Sequence, residues 1–142
     1  AAALLANVGL VVAHSKHHRH AYYIIRNSEL TGLTDGEIEV IAQIARYHRK
    51  SEPKASHPEF AALDGATQEL VRALAAVLRV AIGLDRRHEG RVAGVKVVDG
   101  DAVEIRAVAA RAEDVDLEIY AAQERIGLLA RVLGRPVAVT AD

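Results

Sequence analysis

The sequence predicts an α+β fold, in which a mostly α-helical first part is followed by a small αβ segment made of a hairpin, a helix and a C-terminal strand. Two observations lead to this prediction. Apolar residues recur every three or four positions through much of residues 34–85, whereas valine and isoleucine alternate with other residues on both sides of Asp99-Gly100. The composition, with 51% hydrophobic and 26% charged residues, is typical of a soluble globular protein. We expect a helical domain over residues 1–90 and a small αβ domain over residues 91–142.

The first helices are predicted from periodicity and from capping residues. Residues up to Ala13 have the composition of the end of an apolar helix, and a second helix is expected from Lys16 to Arg26. Thr34 is followed three residues later by Glu37, which is the spacing of a capping box. This pair marks the start of a third helix.

Two further helices are expected before residue 90. A short helical turn is predicted at Glu59 to Leu63, after a polar loop that contains two prolines. The strongest helix is predicted between Thr67 and Asp85, because apolar residues step by three and four along one of its faces. The members of this apolar stripe are Leu70, Leu74, Val77, Ala81 and Leu84.

The αβ segment is predicted from turn residues and alternation. Asp99-Gly100 between two apolar runs is typical of a tight hairpin, and Val115 to Ile119 is a candidate for a further short strand. A last helix is expected to end at Gly134, before a closing strand from Val137 to Thr140. The apolar face of that helix consists of Ala122, Ile126, Leu129 and Leu133.

A cationic, histidine-rich cluster near the start of the chain is the first candidate site. It contains His14, Lys16, His17, His18, Arg19 and His20, and no Asp or Glu occurs in residues 1–28. The counter-charge must therefore come from another part of the fold, from a metal or from an anion. Three interpretations are open: a phosphate-binding patch, ordinary surface or core histidines, and a metal site. We favour the patch, because a nearby polyanion raises the pKa of histidine and so recruits more positive charge.

A second group of cations lies at the end of the third helix. His48 continues the apolar stripe of that helix, so we expect its side chain to point into the core or into a cleft. Arg46, Arg49 and Lys50 extend the positive charge around it. Cations at a helix C-terminus are also favoured by the helix dipole, so a purely structural role stays open for them.

Several function classes are disfavoured by the sequence. The absence of cysteine excludes a disulfide framework and fits a cytoplasmic protein. The apolar runs are too short for a membrane span. No nucleotide-binding fingerprint occurs, and a single Phe without any Trp argues against nucleic-acid binding. The absence of methionine predicts that the chain is a fragment of a longer protein.

Short motifs occur in a characteristic order through the helical half. They are Val8-Gly9, His14-Ser15, His18-Arg19-His20-Ala21-Tyr22, Asn27-Ser28-Glu29-Leu30-Thr31-Gly32, Ala45-Arg46-Tyr47-His48-Arg49-Lys50, Leu78-Arg79-Val80-Ala81 and Leu84-Asp85-Arg86, with Gly134-Arg135-Pro136-Val137 in the tail. Together they resemble the C-terminal region of the exopolyphosphatase and guanosine pentaphosphate phosphohydrolase (Ppx/GppA) family. That region is in turn similar to the HD superfamily of metal-dependent phosphohydrolases, so the resemblance implies an HD-like helical bundle.

The resemblance implies a non-catalytic role for this fragment. In the family, the reaction takes place in N-terminal catalytic domains, where a carboxylate acts on a water beside Mg²⁺, so neither a catalytic residue nor a cofactor is expected here. The expected role is to bind inorganic polyphosphate or guanosine pentaphosphate and to support a homodimer of the parent hydrolase. The residues expected to bind polyphosphate are His14, Lys16, His18, Arg19, His20, Arg46, His48, Arg49 and Lys50.

The metal ligands of an active HD site are replaced in this sequence. The His-Asp pair of that site falls on Ala6-Asn7, and the late Asp falls on Ile82. Hard divalent ions prefer several anionic oxygens, which these residues do not offer, so we interpret the metal site as lost. The alternative function is a residual metal-dependent HD phosphohydrolase acting on a phosphate ester or (p)ppGpp, with His18, His20 and His48 as ligands.

Overall fold

The computed structural model describes residues 1–110 and 114–142, and over these residues the protein is an α+β fold, as predicted. Helices make up its first part, and a small three-stranded sheet lies in its last part. In chain order the elements are α1 (Ala2–Leu5), a 3-10 helix (Val8–Val11), α2 (His17–Arg26), α3 (Asp35–Arg46), α4 (Pro58–Ala61), α5 (Gly65–Leu84), β1 (Val92–Asp99), β2 (Val103–Ala109), α6 (Asp116–Gln123), α7 (Gly127–Leu133) and β3 (Val137–Ala141).

The chain divides into two compact units, Ala1–Ala75 and Ala76–Asp142, and helix α5 contributes residues to both. The domain boundary predicted after residue 90 stays a prediction. We describe each unit by itself.

The first unit is held together by two groups of buried apolar side chains. One lies between α2 and α3 and contains Ile25, Ala42 and Ala45. The other is built from Tyr47, Phe60, Val71 and Ala75. Helices α2 and α3 therefore pack on each other through the first of these groups.

Helix α3 begins where the sequence predicts. The Thr34 hydroxyl accepts a hydrogen bond from the backbone N–H of Glu37 at 3.3 Å, and the Glu37 carboxylate accepts one from the backbone N–H of Thr34 at 2.8 Å. Both partners of the capping box are therefore in place, and each satisfies a donor that the first helical turn leaves free.

The helix predicted for the residues up to Ala13 is wrong. The chain leaves the α-helical conformation after Leu5 and forms a 3-10 turn at Val8–Val11. Gly9 of this turn lies against the backbone of α2: a Cβ atom at this position would be 1.9 Å from the carbonyl oxygen of His17 and 2.5 Å from the amide nitrogen of Ala21. This close approach fixes the 3-10 helix against α2.

The second unit contains a sheet with strand order β1-β2-β3, in which β1 and β2 are antiparallel and β2 and β3 are parallel. The predicted hairpin is confirmed, with Val97 opposite Ile105. Alternate residues of β2 and β3 point into a core that also includes residues of α5, α6 and α7; its buried members are Ala76, Val80, Leu84, Val103, Ile105, Ala107, Ala122, Leu128, Leu129, Val137 and Val139.

The strand proposed for Val115 to Ile119 is wrong, because Val115 directly precedes helix α6 and the other four residues lie within it. The Asp114 side chain accepts a hydrogen bond from the backbone N–H of Asp116 at 2.8 Å, which supports a helix start that the β-branched residues do not indicate. The single last helix of the prediction is two helices, α6 and α7. Its predicted end is confirmed, because Gly134 follows α7 in the left-handed conformation with φ of 67°.

Helix α5 is confirmed, but most of its apolar stripe faces solvent. Leu70, Leu74 and Val77 are 48%, 43% and 54% exposed. The buried residues of this helix lie on another face and include Val71, Ala75, Ala76 and Val80. The helix has apolar residues on two faces, and the neighbouring elements decide which face is covered. Within residues 1–110 and 114–142, no helix has both the length and the apolar character needed to cross a membrane.

Candidate functional site

All the residues predicted to bind polyphosphate lie in the first unit, on α2, at the end of α3 and in the segments beside these helices. They differ strongly in exposure. His48 is buried, His18, His20 and Arg46 are partly buried, and the exposed members are His14, Lys16, Arg19, Arg49 and Lys50.

The start of α2 is set by Lys16 and His17. Lys16 adopts the left-handed conformation with φ of 56° just before the first helical residue. The His17 Nδ1–H donates a hydrogen bond to the carbonyl oxygen of His14 at 3.2 Å. This geometry turns the His17 ring inward and leaves the side chains of His14 and Lys16 in solvent.

A buried pair of histidines lies behind the exposed cations. The rings of His17 and His48 stack with centroids 5.4 Å apart, and the two residues are 5% and 2% exposed. The His48 Nδ1–H donates to the carbonyl oxygen of Ala45 at 2.6 Å. A guanidinium nitrogen of Arg49 lies 3.3 Å from both ring nitrogens of His17. The pair therefore connects the start of α2 with the end of α3 and places Arg49 beside it.

His17 was left out of the predicted set of binding residues. The spacing that places it inside is nevertheless visible in the sequence, because His17, Ala21 and Ile25 are four residues apart and all are buried. His48 is a hydrogen-bonded, buried histidine, in agreement with its position on the apolar stripe of α3.

His18 lies in a cationic environment. Burial, together with the positive charges of His48, Arg49, Arg19 and His17, lowers the pKa of His18 to about 4. His18 is therefore neutral at pH 7, and the permanent positive charge of this region comes from its arginines and lysines.

We expect the stability of the protein to fall as the pH falls from about 6.5 to 4, partly because of His18. In this window the unfolded chain protonates His18, whose ordinary pKa is about 6.5, whereas the folded chain does not until the pH reaches about 4. Substituting His18→Gln removes this contribution, so between pH 6.5 and 4.5 the variant should lose fewer degrees of melting temperature than the unmodified chain. Thermal unfolding followed by circular dichroism checks this. Equal pH slopes for the two proteins would contradict it.

A polar surface cavity of about 370 Å³ lies next to this cluster. Arg19 and Tyr22 of α2 and Arg46 at the end of α3 form one part of its lining. The other part comes from the loop before α4 and from α4 itself, namely Ser56, His57, Pro58 and Glu59. The cavity therefore brings two of the predicted arginines together.

Arg46 is held in this cavity on three sides. Its guanidinium carbon lies 5.4 Å from the ring centroid of Tyr22 and 5.4 Å from that of Tyr47, both in cation–π geometry. A guanidinium nitrogen of Arg46 also donates to the Glu59 carboxylate at 2.8 Å. Two aromatic rings and one carboxylate therefore surround the Arg46 guanidinium.

Tyr22 is itself fixed by Glu39 of α3. The Tyr22 hydroxyl donates to the two Glu39 carboxylate oxygens at 3.0 and 3.2 Å, and Arg26 Nε lies 2.8 Å from the same carboxylate. Burial and the Glu39 carboxylate raise the pKa of Tyr22 above its ordinary value, so the hydroxyl keeps its proton at neutral pH. Glu39 thus holds the ring on which Arg46 stacks.

His57, which lines the cavity, was not among the residues predicted from the sequence. The His57 ring stacks on Tyr47 at 5.5 Å, and its Nδ1 is 2.8 Å from the Tyr47 hydroxyl. Burial lowers the pKa of His57, and the charges of Arg46, Lys54 and Arg19 act in the same direction. No motif marks His57 in the sequence, because its place depends on the path of the loop between α3 and α4.

The predicted residues are thus only partly brought together. Arg19 and Arg46 share the cavity, and His18 is within electrostatic reach of Arg19, Arg49 and His48. The residues that do not line the cavity are His14, Lys16, His18, His20, His48, Arg49 and Lys50.

The donor set of this region does not match the metal centre of an HD phosphohydrolase. In the part of the chain that the structure describes, no three His, Asp or Glu side chains come together in a way that could hold a metal ion. His17 and His48 use their Nδ1 atoms in hydrogen bonds to carbonyl oxygens.

Comparison with known proteins gives the family. A family model described as Ppx/GppA phosphatase, domain III, matches residues 1–121, which include the whole cavity and the histidine cluster. The chain belongs to the Ppx/GppA phosphatase family. The resemblance deduced from the short sequence motifs is thereby confirmed.

A relative within the Ppx/GppA family shows how much of such a protein the chain represents. The chain is similar to a guanosine-5'-triphosphate,3'-diphosphate pyrophosphatase of Pseudoalteromonas translucida (strain TAC 125), with 33% identity over 92 residues. This match covers 65% of the chain and 18% of the relative. The matched part of the chain therefore spans less than a fifth of the length of this relative.

Proposed function

We propose that this domain III binds inorganic polyphosphate, or the phosphate groups of guanosine pentaphosphate, without hydrolysing them. In this proposal it assists the catalytic domains of a Ppx/GppA hydrolase, located in the cytoplasm. The observation that carries the proposal is the cavity in which Arg19 and Arg46 lie together. The similarity to a pyrophosphatase of a guanosine phosphate supports a phosphoanhydride as ligand.

The chemistry of the cavity suits a phosphate chain. Guanidinium groups stay charged at all physiological pH values and match phosphate oxygens in pairs, so they bind this anion well. Ser56 adds a hydroxyl and His57 adds a ring nitrogen to the same lining. Arg49 extends the positive charge beside the histidine pair, so an extended anion can meet several cations in succession.

The groups of the cavity favour binding over hydrolysis. Glu59, the carboxylate in its lining, is ion-paired with Arg46, and Glu39 is engaged with Tyr22 and Arg26. A general base needs a carboxylate or imidazole directed at an attacking water, and these carboxylates already accept hydrogen bonds from side chains. The alternative of a residual HD phosphohydrolase gains no support from the donor set.

Assembly into a homodimer and contact with N-terminal catalytic domains also belong to this proposal. Leu70 and Leu74 of α5 are large apolar residues in the first unit that remain exposed to solvent. Single exposed apolar residues are common on protein surfaces, but two on one helical face provide a surface that an assembly could cover. These partners stay predictions.

Titration with long-chain polyphosphate at two salt concentrations tests the proposed binding. We expect the affinity to fall steeply between 50 and 200 mM salt, because neutralised phosphates release counter-ions. Arg19→Gln should weaken binding by about threefold to tenfold and reduce the salt dependence by about one counter-ion, without changing the melting temperature.

The matched control for this experiment is Arg86→Gln. It removes the same charge from an exposed position in the second unit and should leave the affinity unchanged. Binding that does not depend on salt, or equal effects of the two substitutions, would count against a polyphosphate site at this cavity.

A further inference from the structure

Strand β1 lies at the edge of the sheet that the described residues form, outside the core of the second unit. The strand order is β1-β2-β3, so β1 is paired with β2 on one side only. Seven of its eight residues are exposed and Val92 is partly buried, whereas Val103, Ile105 and Ala107 of β2 are buried. The helices of this unit therefore cover one face of β2 and β3 but leave most of β1 in solvent.

The uncovered residues of β1 form one wall of an apolar cavity of about 510 Å³. Val95 and Val97, which are 51% and 63% exposed, lie on the same face of the sheet as the buried β2 residues opposite them. The other wall is formed by residues of α5, namely Val77, Ala81 and Leu84. Exposed apolar surface that is concentrated in one place is typical of an interaction site.

The backbone of β1 also has free hydrogen-bonding groups along its outer edge. Alternate residues of β2 direct theirs to the other neighbour: the Val103 N–H donates to the segment before β3 at 2.9 Å, and the Ala107 carbonyl accepts from the residue after β3 at 3.1 Å. In an antiparallel pair, opposite residues either bond each other or both point away. The β1 residues opposite this set, whose N–H and C=O groups therefore point to the free edge, are Val95, Val97 and Asp99.

A second copy of this chain presents a strand edge that matches this one. A two-fold axis through Val97 sets this residue opposite its own counterpart and pairs the outward-facing residues on either side of it with each other. Lys96 then lies opposite Val98 of the second copy, whose neighbour within its own sheet is Glu104. Opposite charges thus share one cross-strand row, whereas an axis through Lys96 would set two like charges face to face.

We propose that two copies of this chain associate through β1, antiparallel and centred on Val97, so that their sheets join into one sheet of six strands. The axis is perpendicular to the sheet, so the helices of both copies lie on the same face and the two apolar cavities adjoin across the axis. The apolar surface around Val97 is thereby removed from water in both copies. The inference rests on the proposed function, because it names the interface of the homodimer proposed there.

Val97→Lys in the full 142-residue chain tests the position of the axis. Two lysines would face each other across it, so the dissociation constant of the dimer, measured by analytical ultracentrifugation, should rise by about tenfold or more. An equal mixture of Val97→Lys and Val97→Glu should restore the dimer, because opposite charges then meet. Val12→Lys is the matched control, since Val12 is also exposed but lies in the first unit, and it should leave the dissociation constant unchanged.

The absence of cysteine from the chain allows a second test by disulfide formation. In the proposed pairing, the Cα atoms of Val97 and its counterpart are about 5.5 Å apart, which suits a disulfide. Val98 and its counterpart are displaced by two residues along the strand and lie about 8 Å apart, which is too far. Under mild oxidation, Val97→Cys should therefore form a covalent dimer about tenfold faster than Val98→Cys, or more.

The outcomes separate this inference from the proposed function. If the unmodified chain forms a dimer that Val97→Lys does not weaken, or if the two cysteine variants crosslink at equal rates, the contact at Val97 is overturned and a homodimer formed through another surface stands. If the unmodified chain is a monomer at about 100 μM, both the contact and the proposed homodimer are overturned. Polyphosphate binding is measured by its own titration and does not depend on either result.

Discussion

Replacing Gly9 by alanine is expected to lower the free energy of unfolding by about 3 kcal/mol and to abolish polyphosphate binding. The new Cβ atom would lie 1.9 Å from the carbonyl oxygen of His17, a backbone atom that cannot turn away as a side chain can. Relief requires the 3-10 helix and α2 to separate, and α2 carries both Arg19 and Tyr22 of the cavity. Urea unfolding followed by circular dichroism measures the first effect, and the polyphosphate titration measures the second.

Gly36→Ala is the control for this substitution. Gly36 lies in the first turn of α3, and a Cβ atom there would have nothing within 4 Å. Alanine is the better helix former, so this variant should gain up to about 1 kcal/mol. If Gly9→Ala unfolded at the same urea concentration as the unmodified chain, the close packing of the 3-10 helix on α2 would be disproved.

Phe60→Ala is expected to cost about 3–5 kcal/mol of stability, the range found when a buried aromatic residue is truncated. Phe60 is fully buried, meets Tyr47 edge to face at 5.9 Å and lies 4.8 Å below the guanidinium of Arg72. It also anchors α4, which carries Glu59 into the cavity lining. Stability is again measured by urea unfolding.

Phe60→Leu tests whether the stability lost in Phe60→Ala comes from the apolar volume that alanine removes. Leucine keeps most of the apolar volume, so we expect a smaller cost of about 1.5 kcal/mol and a cavity that still binds polyphosphate. Alanine and leucine variants of equal stability would show that Phe60 does not carry the packing assigned to it.

The parts of the fold that could be predicted are those set by neighbouring residues. Thr34 and Glu37 cap α3 through each other, the hairpin turns directly after Asp99 at the end of β1, and Gly134 ends α7. Each depends on a few consecutive residues, whose preferences are visible in the sequence.

The errors concern residues whose structure depends on distant contacts. Gly9 lies in a 3-10 helix packed on the backbone of α2, and nothing near Gly9 in the sequence indicates that contact. Leu70 and Leu74 have helical spacing, yet the neighbours of α5 cover Val71 and Ala75 instead. Periodicity finds an apolar face but does not say which of two such faces will be buried.

In the candidate site, too, the features that depend on distant contacts could not be predicted from the sequence. Arg19 and Arg46 were predicted as cations and share the cavity, but the residues opposite them were not anticipated. His57 reaches the site through a loop, and Glu59 was assigned only to a short helix. Ionic partners that are many positions apart leave no periodic pattern, so their pairing is known only from the fold.

The parallel pairing of β2 with β3 has a consequence for biosynthesis. Val103 of β2 is paired with Val137 of β3, and α6 and α7 lie in the connection between these strands. A ribosome releases β2 long before β3, so during translation the hairpin has an unpaired edge. The second unit completes its sheet only after residues 137–141 have left the exit tunnel, and until then its newly made strands depend on the surrounding chain, or on a chaperone, to avoid pairing with another nascent polypeptide.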